Sequence, residues 1–269
     1  MADPSNPPSG DSGGPTQPVR IVSLQQGPHA LASAFAAAQP VTPQLAYNGG
    51  PLLANVEVFT VFWGSAWSQG DLATLAADIN GFFQFIVTSP LIDQLAEYQT
   101  PNFAIGEGSF SGSATLTDAD PPNVVSDQQI QDLLTQRTGS GELPAPDANL
   151  LYFVFTPPGV AVTSGADQSC LAFCGYHDQI GGNLFYAVVS YPDCPGCQAA
   201  SGVVLDAITT VASHELCEGI TDPIPGQGWY WFADARHQGE IGDLCVGQTK
   251  QVGAFTVQTE WSNAAGGCV

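Results

Sequence analysis

The fold this chain predicts is a single mixed α/β domain, and three observations lead there. Apolar runs rich in β-branched and aromatic residues read as buried strands: VEVFTVFWG (56–64), ANLLYFVFTPP (148–158) and NLFYAVVSYP (183–192). Between and after them lie segments with apolar residues at helical spacing, above all GDLATLAADINGFFQFIV (70–87) and SGVVLDAITTVASHELCEGI (201–220). The length, 269 residues with 44% hydrophobic content, suffices for one sizeable core. Strands alternating with helices imply layers around a sheet that is mixed rather than purely parallel.

Taken in order, residues 1–40 form a Pro/Gly/Ser-rich segment expected to be disordered, although ALASAFAAA (30–38) has the makings of a short helix. The opening MADPSNPPSGDSGGPTQP has neither the basic start nor the apolar core of a signal peptide. The domain is expected to occupy 41–269. Its first strand ends at Gly64, and the 70–87 helix places Leu72, Leu75, Ile79, Phe82, Phe83 and Ile86 on one face. PLIDQLAEY (90–98) adds a short helix, and NFAIGEGSFSGSATL is glycine-punctuated and strand-like. Ser126 is placed to cap a helix over 126–136 that carries Ile130, Leu133 and Leu134. The next strand is stopped by Pro157, and a cysteine-rich loop follows it. After the 201–220 helix comes a tail rich in Gly, Trp and short strands. No apolar run reaches 18 residues, so no membrane span is expected.

Twenty-five acids stand against four bases, a net charge of −21. Such a surface repels phosphate backbones and anionic lipid, which excludes nucleic acid and membranes as partners and favours cations. Seven cysteines fall in close groups: Cys170 and Cys174, Cys194 and Cys197, then Cys217, Cys245 and Cys268. The first two pairs fit either disulfides, closed locally or crossed between the loops, or a four-thiolate zinc site. Oxidised pairs are expected, because an acidic, lysine-poor chain has the look of an exported protein. Cys245 and Cys268 are placed to tie down the tail, and Cys217, inside a helix, is the expected free thiol.

The chemistry concentrates on the 201–220 helix, in VASHELCEGITDP. His214 and Glu218 are four residues apart, so their side chains stack one turn above the other and can grip one ion. Glu215, rotated about 100° around the axis, is the position from which a glutamate acts as general base on a metal-activated water. A carboxylate in place of a second imidazole makes the site harder. Zinc tolerates it, while calcium and manganese become competitive. Two ligands are too few, and the expected others are Glu240 and Asp243 in GEIGDLC. Asp222, before Pro223, is expected to end the helix rather than to ligate. His177 and His237 are expected to be structural hydrogen-bonding residues.

LAYNGGPLLANVEVFTVFWG, FCGYH, CPGC, SHELCEGITDP, GEIGDLC and VQTEWSN, in this order, resemble the Exordium (phosphate-induced) family and its bacterial and fungal relatives, over about residues 45–265. That resemblance implies an extracellular, wall-associated protein. The helix is separately similar to that of zincin metallopeptidases, in which the active-site helix follows a mixed sheet. This implies a single zincin-like domain with His214 as first ligand, Glu215 as base and Glu218 in the second ligand position. Met1 is the only methionine, so the methionine turn of metzincins is excluded. The expected function is a zinc-dependent hydrolase, a monomeric peptidase acting on peptides or proteins. The alternative is a non-enzymatic extracellular module in which the same residues hold a structural ion.

Overall fold

A computed structural model describes residues 42–234 and 237–269. The expected N-terminal disorder and the helix over 30–38 lie outside the described residues, as does the side chain of His237. The first half of the domain runs β1 (Ala46–Tyr47), β2 (Glu57–Trp63), α1 (Gly70–Ile86), α2 (Pro90–Gln94), β3 (Ser109–Leu116), β4 (Val124–Ser126), α3 (Asp127–Ser140), β5 (Leu150–Phe155), β6 (Ala161–Ser164) and β7 (Asp167–Gln168). It continues with β8 (Gly175–Ile180), β9 (Leu184–Val189), α4 (Val204–Thr221), β10 (Trp229–Asp234), β11 (His237–Gly239), β12 (Thr249–Val252), β13 (Phe255–Gln258), β14 (Trp261–Ser262) and β15 (Gly267–Cys268).

Five strands form the main sheet in the order β3-β2-β5-β9-β8. The first four are parallel, and β8 joins the edge antiparallel to β9. The sheet is therefore mixed. The small sheets β1-β10-β11, β4-β6-β7, β12-β13 and β14-β15 surround it.

Strand side chains alternate between faces, and each face has its own core. Leu151, Phe153 and Phe155 of β5 point with Val58 and Phe62 toward α1 and α4. Leu150, Tyr152 and Val154 point with Phe59 and Val61 toward Ile130, Leu133 and Leu134 of α3. Phe83 of α1 packs on Phe153 with ring centroids 4.5 Å apart. Truncating such a buried ring costs about 3–5 kcal/mol. Ser126 caps α3 through a full capping box with Gln129.

Three differences from the sequence reading matter for the site. The cysteine-rich stretch is not all loop, because GYHDQI forms edge strand β8. A three-residue turn with Gly181 and Gly182 at φ 63° and 78° returns the chain into β9, pairing Ile180 with Leu184. Helix α4 begins at Val204 rather than at 201, since Gly202 sits at φ 72° and Ser201 ties its hydroxyl to Asp206. Its apolar stripe is also not the only buried part, for every residue from Ala207 to Thr221 is buried. Disulfides Cys170–Cys194 and Cys174–Cys197 cross between the two loops, and Cys245–Cys268 anchors the tail, so the four-thiolate zinc reading is overturned. Cys217 is free and buried. Among the described residues no single helix is long and apolar enough to cross a membrane.

Candidate metal centre

Helix α4 lies against β8 and β9 on one side and against β13 on the other. Because the helix is covered all round from Ala207 to Thr221, the ionisable groups on that stretch have nowhere to meet water. His214 and Glu215 are 0% exposed and Glu218 is 2% exposed.

One turn of helix brings His214 Nε2 to 3.0 Å from Glu218 Oε1. The contact lacks hydrogen-bond alignment, and Nε2 has no hydrogen-bond partner. The other face of the ring is set by the C-terminal segment. Gln258 puts its amide nitrogen 2.7 Å from Nδ1 and also donates to the carbonyl of Gly242 at 2.9 Å. Ser213 Oγ accepts the backbone N–H of Gln258, which pins β13 to the helix. Gly242 lies flat on the imidazole, where a Cβ would stand 2.5 Å from Nδ1. Amide orientation is an assignment made from the hydrogen-bond network. The Gly242 carbonyl only accepts, so the amide nitrogen faces it and Nδ1 together, and the neutral ring then carries its proton on Nε2. Ligation at Nε2 requires Gln258 to turn its oxygen to Nδ1–H and release Gly242. Such outer contacts typically orient ligating imidazoles. Asp243 completes this group: its carboxylate, Glu218 and His214 offer ligand atoms within 4.8 Å of one another. The Asp243 backbone N–H donates to Glu218 Oε1 at 3.1 Å.

Glu240 does not join that group. The sequence reading paired it with Asp243, but Glu240 Oε1 lies 3.5 Å from His177 Nε2. His177, set aside in that reading as structural, stands at the middle of the cluster. It projects from β8 opposite Ala187, on the face that α4 covers. Its Nδ1 is 3.3 Å from Glu215 Oε2 and 3.5 Å from Glu218 Oε2, and its Nε2 donates to the carbonyl of Asp222 at 3.1 Å. The G-G-N turn before the apolar run that begins at Leu184 was the one sequence signal for a hairpin here. Gly175, two residues before His177, leaves room for Glu215, since a Cβ there would lie 2.4 Å from Val211 Cγ1 and 3.1 Å from Glu215 Oε1. Asp222 ends the helix as expected, its carboxylate accepting the N–H groups of Gly226, Gln227 and Gly228.

Charge follows from this packing. Burial opposes the charged form of His177, yet Glu240, Glu215 and Glu218 around it hold its pKa well above the usual imidazole range. Burial likewise raises Glu215, and burial with the charge of Glu218 pushes Glu240 well up. Glu218 goes the other way, because His214 and His177 outweigh its burial. Glu260, a buried acid that sequence reasoning did not single out, is raised well above its ordinary value by burial.

Buried carboxylates thus outnumber the imidazoles that face them. Glu215 Oε1, Glu240 Oε1 and both oxygens of Glu260 have no hydrogen-bond partner. Unpaired buried charge is very costly, so such groups pair, take up protons or bind metal. One imidazole with carboxylate oxygens is a donor set that zinc accepts and that suits harder ions too. The residues present therefore fit a divalent cation.

No family model, curated protein or solved structure matches this chain.

Proposed function

We propose that the protein is a metal-dependent hydrolase, most plainly a peptidase, with zinc held by His214, Glu218 and Asp243 and with Glu215 as general base. One observation carries the reading: an imidazole nitrogen without a hydrogen bond stands 3.0 Å from a helix carboxylate oxygen, with a third acid beside them. Two ligands about 2.0–2.2 Å from a tetrahedral zinc stand roughly 3.3–3.6 Å apart, so this 3.0 Å contact has to open by a few tenths of an ångström to admit the ion. The ion supplies Lewis acidity and brings the pKa of a coordinated water to about 7.

The remaining roles belong to the chain. His177 holds Glu215 Oε2 at 3.3 Å, and Glu215 Oε1, free of partners, is the oxygen that takes the proton. Asp222 and Gln258 orient the two imidazoles from outside. A mixed sheet leading into the metal-bearing helix supports the zincin likeness, and the three disulfides fit an oxidising, extracellular setting. The net charge of −21 favours neutral or basic peptides as substrate. The proposed unit is a monomer.

A second reading has its own support. The 0% exposure of His214 and Glu215 suits an extracellular module of the Exordium type, in which a structural ion ties the tail to α4. Glu215→Gln separates the two. For the hydrolase, zinc content measured by elemental analysis stays near one per chain or above, while cleavage of a fluorescence-quenched peptide library falls by about 10²–10⁴. A zinc-loaded wild type that cleaves nothing in the library, yet loses thermal stability on chelation, sinks the hydrolase and supports the module.

A further inference from the structure

We propose that α4 carries a second cation seat, made by His177 Nδ1, Glu215 Oε2 and Glu218 Oε2, so that Glu218 bridges two ions. It rests on the metal centre proposed above and deepens it.

The two halves of the cluster are built alike. In the first, His214 Nε2 faces Glu218 Oε1, with Asp243 alongside. In the second, His177 Nδ1 faces the other oxygen of the same carboxylate at 3.5 Å, with Glu215 Oε2 at 3.3 Å. The ligand atoms of His177, Glu215 and Glu218 lie within 4.8 Å of one another, as those of the first group do. Each imidazole is also gripped at its far nitrogen, His214 by Gln258 and His177 by the carbonyl of Asp222. A carbonyl only accepts, so Nε2 of His177 carries the proton and Nδ1 can present its lone pair inward. That is the usual tautomer of a ligating histidine with an outer partner.

What stands opposite Nδ1 decides the matter. Two carboxylate oxygens converge on this nitrogen, and all three atoms are electron-rich. Something positive must lie between them, either a proton or a metal ion. A proton on Nδ1 hydrogen-bonds Glu215 Oε2 at 3.3 Å and leaves Glu218 Oε2, at 3.5 Å, without that bond. A divalent ion draws both oxygens. Counting Glu215, Glu218, Glu240, Glu260 and Asp243, five carboxylates gather around the two imidazoles, more negative charge than one divalent ion offsets. Two-ion sites are an established way to clamp an attacking and a leaving oxygen. Bound through Oε2 alone, Glu215 keeps Oε1 for its role as base.

The test is a count. Chelator-stripped full-length protein is dialysed against Mn²⁺ and, separately, Zn²⁺, and bound metal is measured per chain. Two ions are expected at saturation. His177→Ala should drop the count to one, weakening the second ion at least 100-fold and the first less than threefold. Asp243→Asn should weaken the other ion selectively. Electron paramagnetic resonance of the Mn²⁺-loaded wild type should show exchange coupling between neighbouring ions, a signature that does not depend on any variant folding. Saturation at one ion without coupling overturns the second seat, as does a His177→Ala protein that still binds two coupled ions. A one-ion protein that hydrolyses peptides sinks this inference alone, and a two-ion protein that hydrolyses nothing supports it while sinking the hydrolase. Binding of neither ion overturns both.

Discussion

The two faces of the main sheet treat their carboxylates in opposite ways. On the α3 face, Asp127 receives the hydroxyls of Tyr176 and Tyr186 at 2.7 and 2.6 Å and the amide of Gln131 at 2.6 Å. Its two oxygens share three donors, and Asp178 beside it accepts the backbone N–H of Gln179. On the α4 face, Glu215, Glu240 and Glu260 are more deeply buried and keep oxygens without a hydrogen bond. Edge strand β8 serves both faces, sending Tyr176 to one and His177 to the other. The first face is a finished hydrogen-bond network and is complete with protein atoms alone. The second is complete only with something positive added. The contrast, rather than acidity as such, marks the candidate cation site in a chain with 25 acids.

The largest expected effect is therefore an asymmetric response to chelation. An ion present at 1,000 times its dissociation constant stabilises the fold by about 4 kcal/mol. Stripping it should lower the thermal midpoint by several degrees, and adding zinc back should restore it. An unchanged midpoint would remove the distinction between the faces. Next in size is Asp127→Ala, which strands two buried tyrosine hydroxyls at about 1–3 kcal/mol each. That loss should appear equally in denaturant unfolding with and without chelator, because no ion reaches the α3 face. A chelator-dependent loss would mean that the two faces are coupled.

How much of this was legible in the sequence differs element by element. Strands β2, β5 and β9 and helices α1 and α4 showed because each is strongly apolar and buried on at least one face. The mostly polar α3 showed through its Ser126 cap and the spacing of Ile130, Leu133 and Leu134. The pair His214 and Glu218 showed because helical geometry fixes the i, i+4 relation whatever surrounds it. Strand β8 was hidden. GYHDQI has one β-branched residue and three polar ones, and what makes it a strand is its pairing with β9. With β8 went His177, since a histidine in a loop has no face. Glu240 was misassigned for a related reason. It is only three residues from Asp243, yet the 3-10 turn over Asp243–Cys245 turns the two side chains to different imidazoles. Spacing along an irregular segment carries no direction. The crossed disulfides were equally open, because connectivity depends on how the 170–174 and 194–197 loops meet in space.

A smaller effect tests the packing that holds the two imidazoles in place. Gly242→Ala puts a methyl group 2.5 Å from His214 Nδ1, so the ring or the backbone must move. Overpacking of this kind costs about 1–3 kcal/mol, and the chelator-sensitive part of the stability should shrink along with the total. Gly175→Ala meets Val211 Cγ1 at 2.4 Å on the β8 side and should act alike, with its effect centred on Glu215 and His177. If both variants lose stability but keep the full response to zinc, the glycines serve packing and not the centre.

The smallest expected change is Tyr186→Phe on the α3 face. It removes one of three donors to Asp127 and leaves Tyr176 and Gln131 in place. A single hydrogen bond to a charged group is worth about 1.5–3 kcal/mol, and with two donors remaining the loss should fall at or below the lower end. Calorimetry should find a small drop in midpoint and no change in zinc binding. The value of the variant lies in its scale. If losing one donor of three on the satisfied face costs as much as losing the whole ion on the other, the α4 carboxylates are already neutralised by protons, and the face needs no metal to stand.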